Sequence, residues 1–329
     1  MEAMKGFDFR GVVSIEQHRK WIFKQALGEA DIANQRYNRL ETKFSMAGGS
    51  KVFTAVAILK LIEEGKLSLG AKLGSLLPYD LGSISRDITI RQLLNHTSGV
   101  GDYFREDEKD SYALVFQDYP NSYVRSARDF LPLFSRRPMQ FAPGERFEYS
   151  QAGYVLLSLV IEQVCQMPFD AYVDKVIFKP LGMADTGYFS LDCLPGNCAT
   201  GYCFDPKSRS YFSNIYSTEV KGSGAGGAYS TAADLERFWT ALMAGRLLPR
   251  PKAREMLSPQ VPDGWYGYGV WLKEQADMDD YLPFIQGNQP GVSFISSYDK
   301  HKNRSITLMS NFESDVWTLH GKFYSELAE

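Results

Sequence analysis

The residue in this sequence that most strongly suggests chemistry is Lys51, which opens an almost wholly apolar segment over residues 52–62. Apolar residues of that segment occupy nearly every face of a helix and Gly65 ends the pattern, so we predict a buried helix. A lysine at the start of such a helix is costly unless a partner or a reaction needs it. Lys51 is therefore a candidate for chemistry, and a side chain that reaches from the helix end into water is an equal alternative.

The residue three positions before Lys51 decides which chemistry is available. Residues i and i+3 share a helical face, so a serine at position 48 could lose its proton to a neutral lysine. Amides at the helix N-terminus could then stabilise the oxyanion, as in Ser-x-x-Lys acyl-transfer enzymes. Position 48 is Gly48, however, and neither Ser45 nor Ser50 has the required spacing. The pattern predicts an acyl-transfer site that lacks its nucleophile.

The composition is that of a globular protein and excludes several functional classes. The 329 residues are 44% hydrophobic and 23% charged, with a net charge of -3. No basic stripe could neutralise a run of phosphates, so we expect a small-molecule or peptide partner rather than a nucleic acid. No apolar stretch approaches the roughly 20 residues of a membrane span, and no signal-peptide pattern opens the chain. We expect a cytoplasmic protein, or a mature chain whose leader was removed.

The order of the elements predicts an α+β fold with two parts. We expect strands at 11–15, 21–23, 266–272 and 305–309, and helices at 52–62, 154–165, 169–178 and 231–244, with a closing helix after residue 316. These elements predict an antiparallel sheet flanked by N- and C-terminal helices, built from residues 1–65 and 216–329. Residues 66–215 would form an inserted, mainly helical domain, with the active cleft between the two parts.

Several segments carry a family resemblance through their order and spacing. They are the helix segment 44–69, Leu-Leu-Asn-His-Thr-Ser-Gly at 93–99, Pro-Gly with Phe-Glu-Tyr-Ser within 143–150, Pro-Leu-Gly-Met-Ala-Asp-Thr at 180–186, Gly-Gly, Ser-Thr and Asp within 226–234, Pro-Gly at 290–291 and Ser-Asn at 310–311. Together they resemble the serine beta-lactamase-like family, which includes class C beta-lactamases, penicillin-binding D-Ala-D-Ala carboxypeptidases, family VIII esterases and D-amino-acid peptidases. The resemblance implies a hydrolase that acts through an acyl-enzyme, without a cofactor or metal.

The same resemblance implies a role for each matching residue. Gly48 would occupy the nucleophile position, Lys51 would be the general base, and Tyr149 would carry a proton to the leaving group and back from water. The amides of Gly48 and Asn288 would form the oxyanion hole. The substrate-binding residues would be Gln151, Gln286, Gly287 and Asn288.

Two further positions depart from the family pattern. Its Tyr-x-Asn becomes Tyr149-Ser150-Gln151, which keeps an amide on a side chain one methylene longer. Its Lys/His-x-Gly motif aligns with Ile285-Gln286-Gly287, so the cation that would bind a substrate carboxylate is missing. These departures weaken the case for penicillins and for peptides with a free C-terminal D-Ala. They favour esters or amides without that carboxylate.

Gly48 has two explanations. It could mark a serine replaced deliberately to trap a substrate, in a hydrolase that still binds but does not turn over. It could also belong to a natural, non-catalytic pseudoenzyme that binds a peptide or acyl ligand. The retained Lys51 and Tyr149 favour the first explanation, since a pocket kept only for binding does not need an unpaired lysine. The oligomeric state stays open.

Two other motifs receive structural interpretations. The segment 222–227 matches Gly-x-Gly-x-x-Gly, but no apolar strand precedes it and no acidic residue follows about 20 positions later to hold a ribose. Thr231 and Asp234 suffice as a helix cap, so we expect a tight glycine turn that lines the cleft. His96 is expected to fix a loop through hydrogen bonds.

The cysteines Cys193, Cys198 and Cys203 lie at intervals of five in a loop-like segment. Without a Cys-x-x-Cys pair or a nearby histidine, a metal site is disfavoured. We expect free or buried thiols, with a Cys193–Cys198 disulfide as the remaining option.

Overall fold

The structure is a computed structural model that describes residues 2–105, 112–262, 264–275 and 278–327. The strands are β1 (Gly11–Gln17), β2 (Lys20–Leu27), β3 (Glu29–Asp31), β4 (Arg36–Tyr37), β5 (Phe44–Ser45), β6 (Tyr202–Asp205), β7 (Ser210–Ser213), β8 (Tyr229–Ser230), β9 (Trp271–Gln275), β10 (Asp280–Gln289), β11 (Val292–Asp299) and β12 (Arg304–Ser310). The α-helices are α1 (Lys51–Glu63), α2 (Leu73–Leu76), α3 (Ile90–Leu94), α4 (Leu131–Phe134), α5 (Gln151–Cys165), α6 (Phe169–Val173), α7 (Lys179–Leu181), α8 (Ala232–Met243), α9 (Arg250–Met256) and α10 (Val316–Glu326).

The main sheet is antiparallel and joins the two ends of the chain. Its order is β2-β1-β12-β11-β10-β9, so the N-terminal hairpin pairs with the last strand. Alternate residues of β1 enter different cores: Val13 packs with α10, and Val12 packs with the larger core that contains α8 and α1. This alternation is what a sheet covered on both faces requires. The predicted mixed fold with an antiparallel sheet and flanking helices is confirmed.

The larger core is continuous across the chain. It includes Leu73 and Val155 from the middle of the sequence together with Phe53, Leu235 and Phe294 from its two ends. Most elements between residues 66 and 200 are helical or 3-10 turns, as expected. The division into 1–65 with 216–329 and an inserted 66–215 stays a prediction.

Helices α1 and α5 lie at the centre of this core and pack against each other. Nearly every residue of α1 is buried, which explains why its sequence is apolar on all faces. Ser150 caps the N-terminus of helix α5, since its hydroxyl accepts a hydrogen bond from the Gly153 amide. The N-termini of both helices therefore have fixed positions.

Two details of the sequence-based description are corrected. The strand predicted at 266–272 begins only at Trp271, because Gly267 donates to the Val270 carbonyl and Gly269 has a φ of +70°, which makes a turn. The hairpin of β6 and β7, close to the cysteines, was not predicted.

Among the described residues, no single helix has the length and apolarity needed to cross a membrane. The bent pair Gln151–Cys165 with Phe169–Leu181 meets those requirements only when the two helices are taken together.

All four cysteines are free thiols, so the Cys193–Cys198 disulfide considered above is not formed. Cys198 and Cys203 are buried. Burial raises the pKa of the Cys198 thiol to about 11 and that of Cys203 to about 12. Both thiols are therefore protonated at neutral pH.

Candidate active site

Lys51 is the first residue of α1, and its side chain is buried, with 1% exposure. Its Nζ donates to the Gln151 side-chain oxygen and to the Ala225 carbonyl, each over 2.5 Å. Burial lowers the pKa of Lys51 to about 7, although the carboxylates of Asp102 and Glu219 favour the charged form. The amine is therefore close to half neutral at neutral pH, and it does not reach out to water.

Tyr149 lies beside Lys51, with the lysine Nζ 4.8 Å from the centre of the tyrosine ring. The ring stacks on Trp271 at a centroid distance of 5.7 Å and an interplanar angle of 19°. Loss of solvation around the hydroxyl raises the pKa of Tyr149 well above its usual value. Tyr149 is thus a neutral phenol at physiological pH, able to donate or relay a proton.

Gly48 lies in a 3-10 turn, Ala47–Ser50, directly before α1. A Cβ built on Gly48 would lie 2.9 Å from the Tyr149 hydroxyl and 3.3 Å from the Lys51 Nζ. The two polar groups therefore converge on the point where a side chain at position 48 would begin. Neither is turned towards bulk solvent or onto a separate surface.

The turn that holds Gly48 is conformationally constrained. Ala47 has a φ of +45°, which is rare for a residue with a side chain. The Ala47 carbonyl accepts from the Ser50 hydroxyl over 2.7 Å and from the Gly227 amide over 3.2 Å. Ser50 is thus a buried residue that stabilises the turn. Such strain persists only where the surroundings impose it.

Gln151 is held at the N-terminus of α5 by a carboxylate that sequence reasoning missed. Asp102 accepts hydrogen bonds from the amides of Gln151 (2.5 Å), Ala152 (3.2 Å) and Tyr103 (2.7 Å). Burial raises the pKa of Asp102 to about 6, although these amides and Lys51 favour its ionised form. A helix N-terminus is a favourable place for this charge. Its only sequence signal is its closeness to the His-Thr-Ser-Gly segment.

Strand β10 forms the opposite side of the site. A Cβ on Gly287 would lie 2.0 Å from the Met46 carbonyl oxygen, so only glycine allows the strand to pack against the turn at Gly48. The side chain of Gln286 is fixed by a hydrogen bond from the Trp317 indole over 2.6 Å. Asn288 follows and is exposed at the cleft.

A cleft of about 630 Å³ joins these groups. Its lining residues are Gly48, Asp102, Phe104, Arg105, Glu148, Tyr149, Gln151, Trp271, Gln286, Gly287, Asn288 and Trp317. Every predicted site residue lies on this wall except Lys51, which reaches the site from behind it. Sequence reasoning missed Phe104, Trp271 and Trp317, which come from segments without a motif. It also missed the charged Asp102, Arg105 and Glu148.

His96 lies behind Tyr149, with ring centroids 4.4 Å apart. Its Nδ1 accepts from the Ser150 amide over 3.1 Å, so the ring proton is on Nε2, which donates to the Tyr266 hydroxyl over 3.0 Å. Burial lowers the pKa of His96 well below its usual value. His96 is a neutral residue that fixes the loop, as predicted.

The glycine-rich segment 222–227 is a tight turn, since Ser223 and Gly226 exchange backbone hydrogen bonds. Contrary to the expectation that it lines the cleft, it lies behind Lys51, which donates to its Ala225 carbonyl. Thr231 caps α8 by accepting from the Asp234 amide over 3.2 Å. The dinucleotide interpretation therefore has no support from this loop.

The fold and the cleft define a class: a mixed α+β scaffold with a buried lysine at the start of a central helix, next to a tyrosine and an antiparallel strand. The family model described as Beta-lactamase matches residues 2–318, and the chain belongs to this family.

Similar proteins agree with this assignment. Penicillin-binding protein 4* of Bacillus subtilis (strain 168) is 28% identical, over 94% of this chain and 69% of its own length. Esterase EstB of Burkholderia gladioli is 32% identical over 55% of this chain and 47% of its own length. The crystal structure of a penicillin binding protein from Bacillus halodurans is 37% identical, covers 98% of each chain and has a TM-score of 0.92. The family is thus one of serine hydrolases that includes penicillin-binding proteins and esterases.

Proposed function

We propose that this chain is a serine-hydrolase scaffold for acyl transfer in which Gly48 stands at the nucleophile position, so that it binds an acyl substrate without turning it over. One observation carries the proposal: a Cβ at residue 48 would meet the Tyr149 hydroxyl at 2.9 Å and the Lys51 Nζ at 3.3 Å. A serine hydroxyl starting from that point has a base and a proton relay within reach.

The geometry of Lys51 suits a general base. A neutral amine has two N–H groups and one lone pair. The carbonyl oxygens of Gln151 and Ala225 accept both N–H groups, which leaves the lone pair for the third direction, where position 48 lies. With a pKa of about 7, Lys51 can take a proton at neutral pH and return it.

The other groups complete the reaction in a chain with serine at position 48. The serine oxygen attacks the substrate carbonyl as Lys51 takes its proton, and the amides of residue 48 and Asn288 stabilise the oxyanion. Tyr149 relays the proton to the leaving group, which departs when its bond to carbon breaks. Water then attacks the acyl carbon as Tyr149 takes its proton, the bond from that carbon to the serine oxygen breaks, and Lys51 returns the proton to the serine. Gly48 retains the amide but offers no atom to acylate.

The cleft favours an ester, amide or lactam without a carboxylate close to the reacting bond. Ile285, at the position of the family's cation, is buried among apolar residues. The arginine on the cleft wall, Arg105, already donates to Glu148 over 2.8 Å and to Gln140 over 2.6 Å. The cation that a free carboxylate would need is therefore engaged elsewhere.

The test compares Gly48→Ser with Gly48→Ala, which adds the same Cβ without a hydroxyl. In both variants the Tyr149 hydroxyl must move by a few tenths of an ångström to accept the Cβ. We expect Gly48→Ser to hydrolyse a chromogenic ester or cephalosporin with a burst, at least roughly 10³-fold faster than Gly48→Ala. Intact mass measurement should find the acyl group on residue 48.

Adding Lys51→Ala or Tyr149→Phe to the serine variant should abolish the burst. A folded serine variant that reacts with no member of a broad acyl panel would contradict the proposal.

The second candidate is a natural, non-catalytic protein that binds a peptide or acyl ligand in the same cleft. Gly48 itself favours it, because the residue leaves the oxyanion amide and the cleft in place. Under this alternative, Gly48→Ser stays inactive while an acyl ligand still raises the melting temperature of both variants.

A further inference from the structure

Glu219 is a buried carboxylate outside the wall of the cleft, with 6% exposure. It accepts hydrogen bonds from the Thr218 hydroxyl (3.1 Å), the Tyr112 hydroxyl (3.4 Å) and the Gln289 side-chain amide (3.4 Å). All three partners are donors and come from three separate parts of the chain. Such an arrangement replaces the water that an ionised carboxylate loses on burial.

The carboxylate lies against the loop that holds Lys51. A Cβ built on Gly227 would be 3.2 Å from the Glu219 Oε1. The Gly227 amide donates to Ala47 over 3.2 Å, and Ala225 of the same loop accepts from Lys51 over 2.5 Å. Glu219 therefore lies next to the loop whose backbone contacts both the amine and the turn that carries Gly48.

Two carboxylates act on Lys51 from different elements, although burial raises the pKa of each. Asp102 faces it from the N-terminus of α5, and Glu219 faces it from the side of the 222–227 loop. The other titratable groups around the amine are His96, Tyr149 and Tyr154, and the shifted pKa values of all three keep them neutral near pH 7. The two carboxylates are thus the charges that oppose the effect of burial on the amine.

Among the described residues, three titratable groups besides Lys51 face Glu219. They are the hydroxyls of Tyr103, Tyr112 and Tyr229, and burial raises the pKa of each. These hydroxyls are neutral near pH 7, so a change of charge at Glu219 should be felt at Lys51.

We propose that Glu219 is a positioning residue for Lys51, which holds the 222–227 loop against Ala47 and faces the amine with a second buried negative charge. The catalytic consequence rests on the proposed function. The effect on the amine itself does not, so it can be measured in the chain with Gly48.

The experiment follows the Lys51 side chain by NMR in the full chain labelled with ¹³C-lysine, with Lys51→Ala to assign its signal. We expect Glu219→Gln to lower the pH of half-titration of Lys51 by roughly half a unit or more. Glu236→Gln is the matched control, because Glu236 is a partly buried carboxylate with hydroxyl partners on Ser305 and Thr240 and is not among the groups that face Lys51. A Lys51 midpoint that is unchanged in folded Glu219→Gln overturns the proposal.

Two additional variants test the same role of Glu219 if the first variant does not fold or if the serine variant is inactive. If Glu219→Gln does not fold, Glu219→Asp withdraws the charge by one methylene and should give a smaller downward shift; an unchanged midpoint again overturns the proposal. In a Gly48→Ser background, Glu219→Gln should move the low-pH limb of the acylation rate to lower pH by the same amount. An inactive Gly48→Ser chain would count against the proposed function, while the NMR result would still decide the role of Glu219.

Discussion

Lys51 Nζ and Gln151 Oε1 lie 2.5 Å apart, which ties the first residue of α1 to the first residue of α5. The two helices pack together in the core, and their N-termini meet beneath the cleft. An amide oxygen accepts a hydrogen bond but does not take up a proton at neutral pH. Gln151 can therefore orient the amine without competing for the proton of a nucleophile.

This contact predicts the effect of changing Gln151. In a Gly48→Ser background, Gln151→Leu should lower the acylation rate by roughly 10- to 100-fold, since the amine loses one of its two acceptors. Gln151→Asn keeps the amide on a shorter side chain and should give an intermediate rate. Stopped-flow measurement of the burst gives the rates. Equal rates for Gln151→Leu and for the chain that keeps Gln151 would contradict the positioning role.

The pKa of Lys51 predicts the pH dependence of acylation in Gly48→Ser. The neutral amine is the reactive form, so the rate should rise with pH and level off above a midpoint near pH 7. For the second-order rate constant of acylation, the midpoint should be the same for two esters with different leaving groups, because it belongs to the free enzyme. A rate that still rises towards pH 10 would show a lysine with an ordinary pKa.

The close packing around Gly287 predicts that replacing it with alanine destabilises the fold, and a second glycine-to-alanine change serves as a control. Gly287→Ala would push a Cβ to within 2.0 Å of the Met46 carbonyl, so we expect roughly 1–3 kcal/mol of destabilisation and weaker ligand binding. Gly321→Ala is the control: it lies within α10 with open space around it, and should stabilise by about 0.5–1 kcal/mol. Urea unfolding of both variants checks the prediction. If Gly287→Ala leaves the free energy of unfolding unchanged, β10 can move away from the turn without cost.

Glu16 predicts a pH-dependent stability. Burial, and then the charge of Glu236, raise the pKa of Glu16 from 4.5 to about 7. Between these values the folded chain keeps a proton that the unfolded chain has lost, so this group's contribution to the free energy of unfolding falls as pH rises from 4.5 to 7. Glu16→Gln should therefore melt higher than the parent at about pH 8 and equally at about pH 4.

The control for that comparison is Glu274→Gln, which removes a carboxylate from an exposed position on β9. It should not reproduce the difference between the acidic and the alkaline melting curves. A Glu16→Gln chain that melts lower than the parent at the alkaline pH would contradict the argument.

Some parts of the site follow from local sequence. Residues 51–63 form a buried helix because apolar residues cover every face. The three-residue spacing indicates that position 48 lies next to Lys51, although tertiary contacts hold the turn that carries Gly48. Tyr149 was located by its motif and the family resemblance. The strand at 266–272 was predicted too early, because two glycines turn the chain before Trp271 in a way that apolar alternation does not reveal.

What the sequence by itself determined was which residues stand at positions 48, 51 and 149, and that positions 48 and 51 have the i, i+3 spacing, because both depend only on residue identity and place in the chain. Only the tertiary structure decided the environment of the lysine. Asp102 and Glu219 approach it from distant segments, and Trp271 stacks on Tyr149 from across the cleft. Burial and long-range charge set a pKa, and both depend on which segments pack together, so no local pattern contains them.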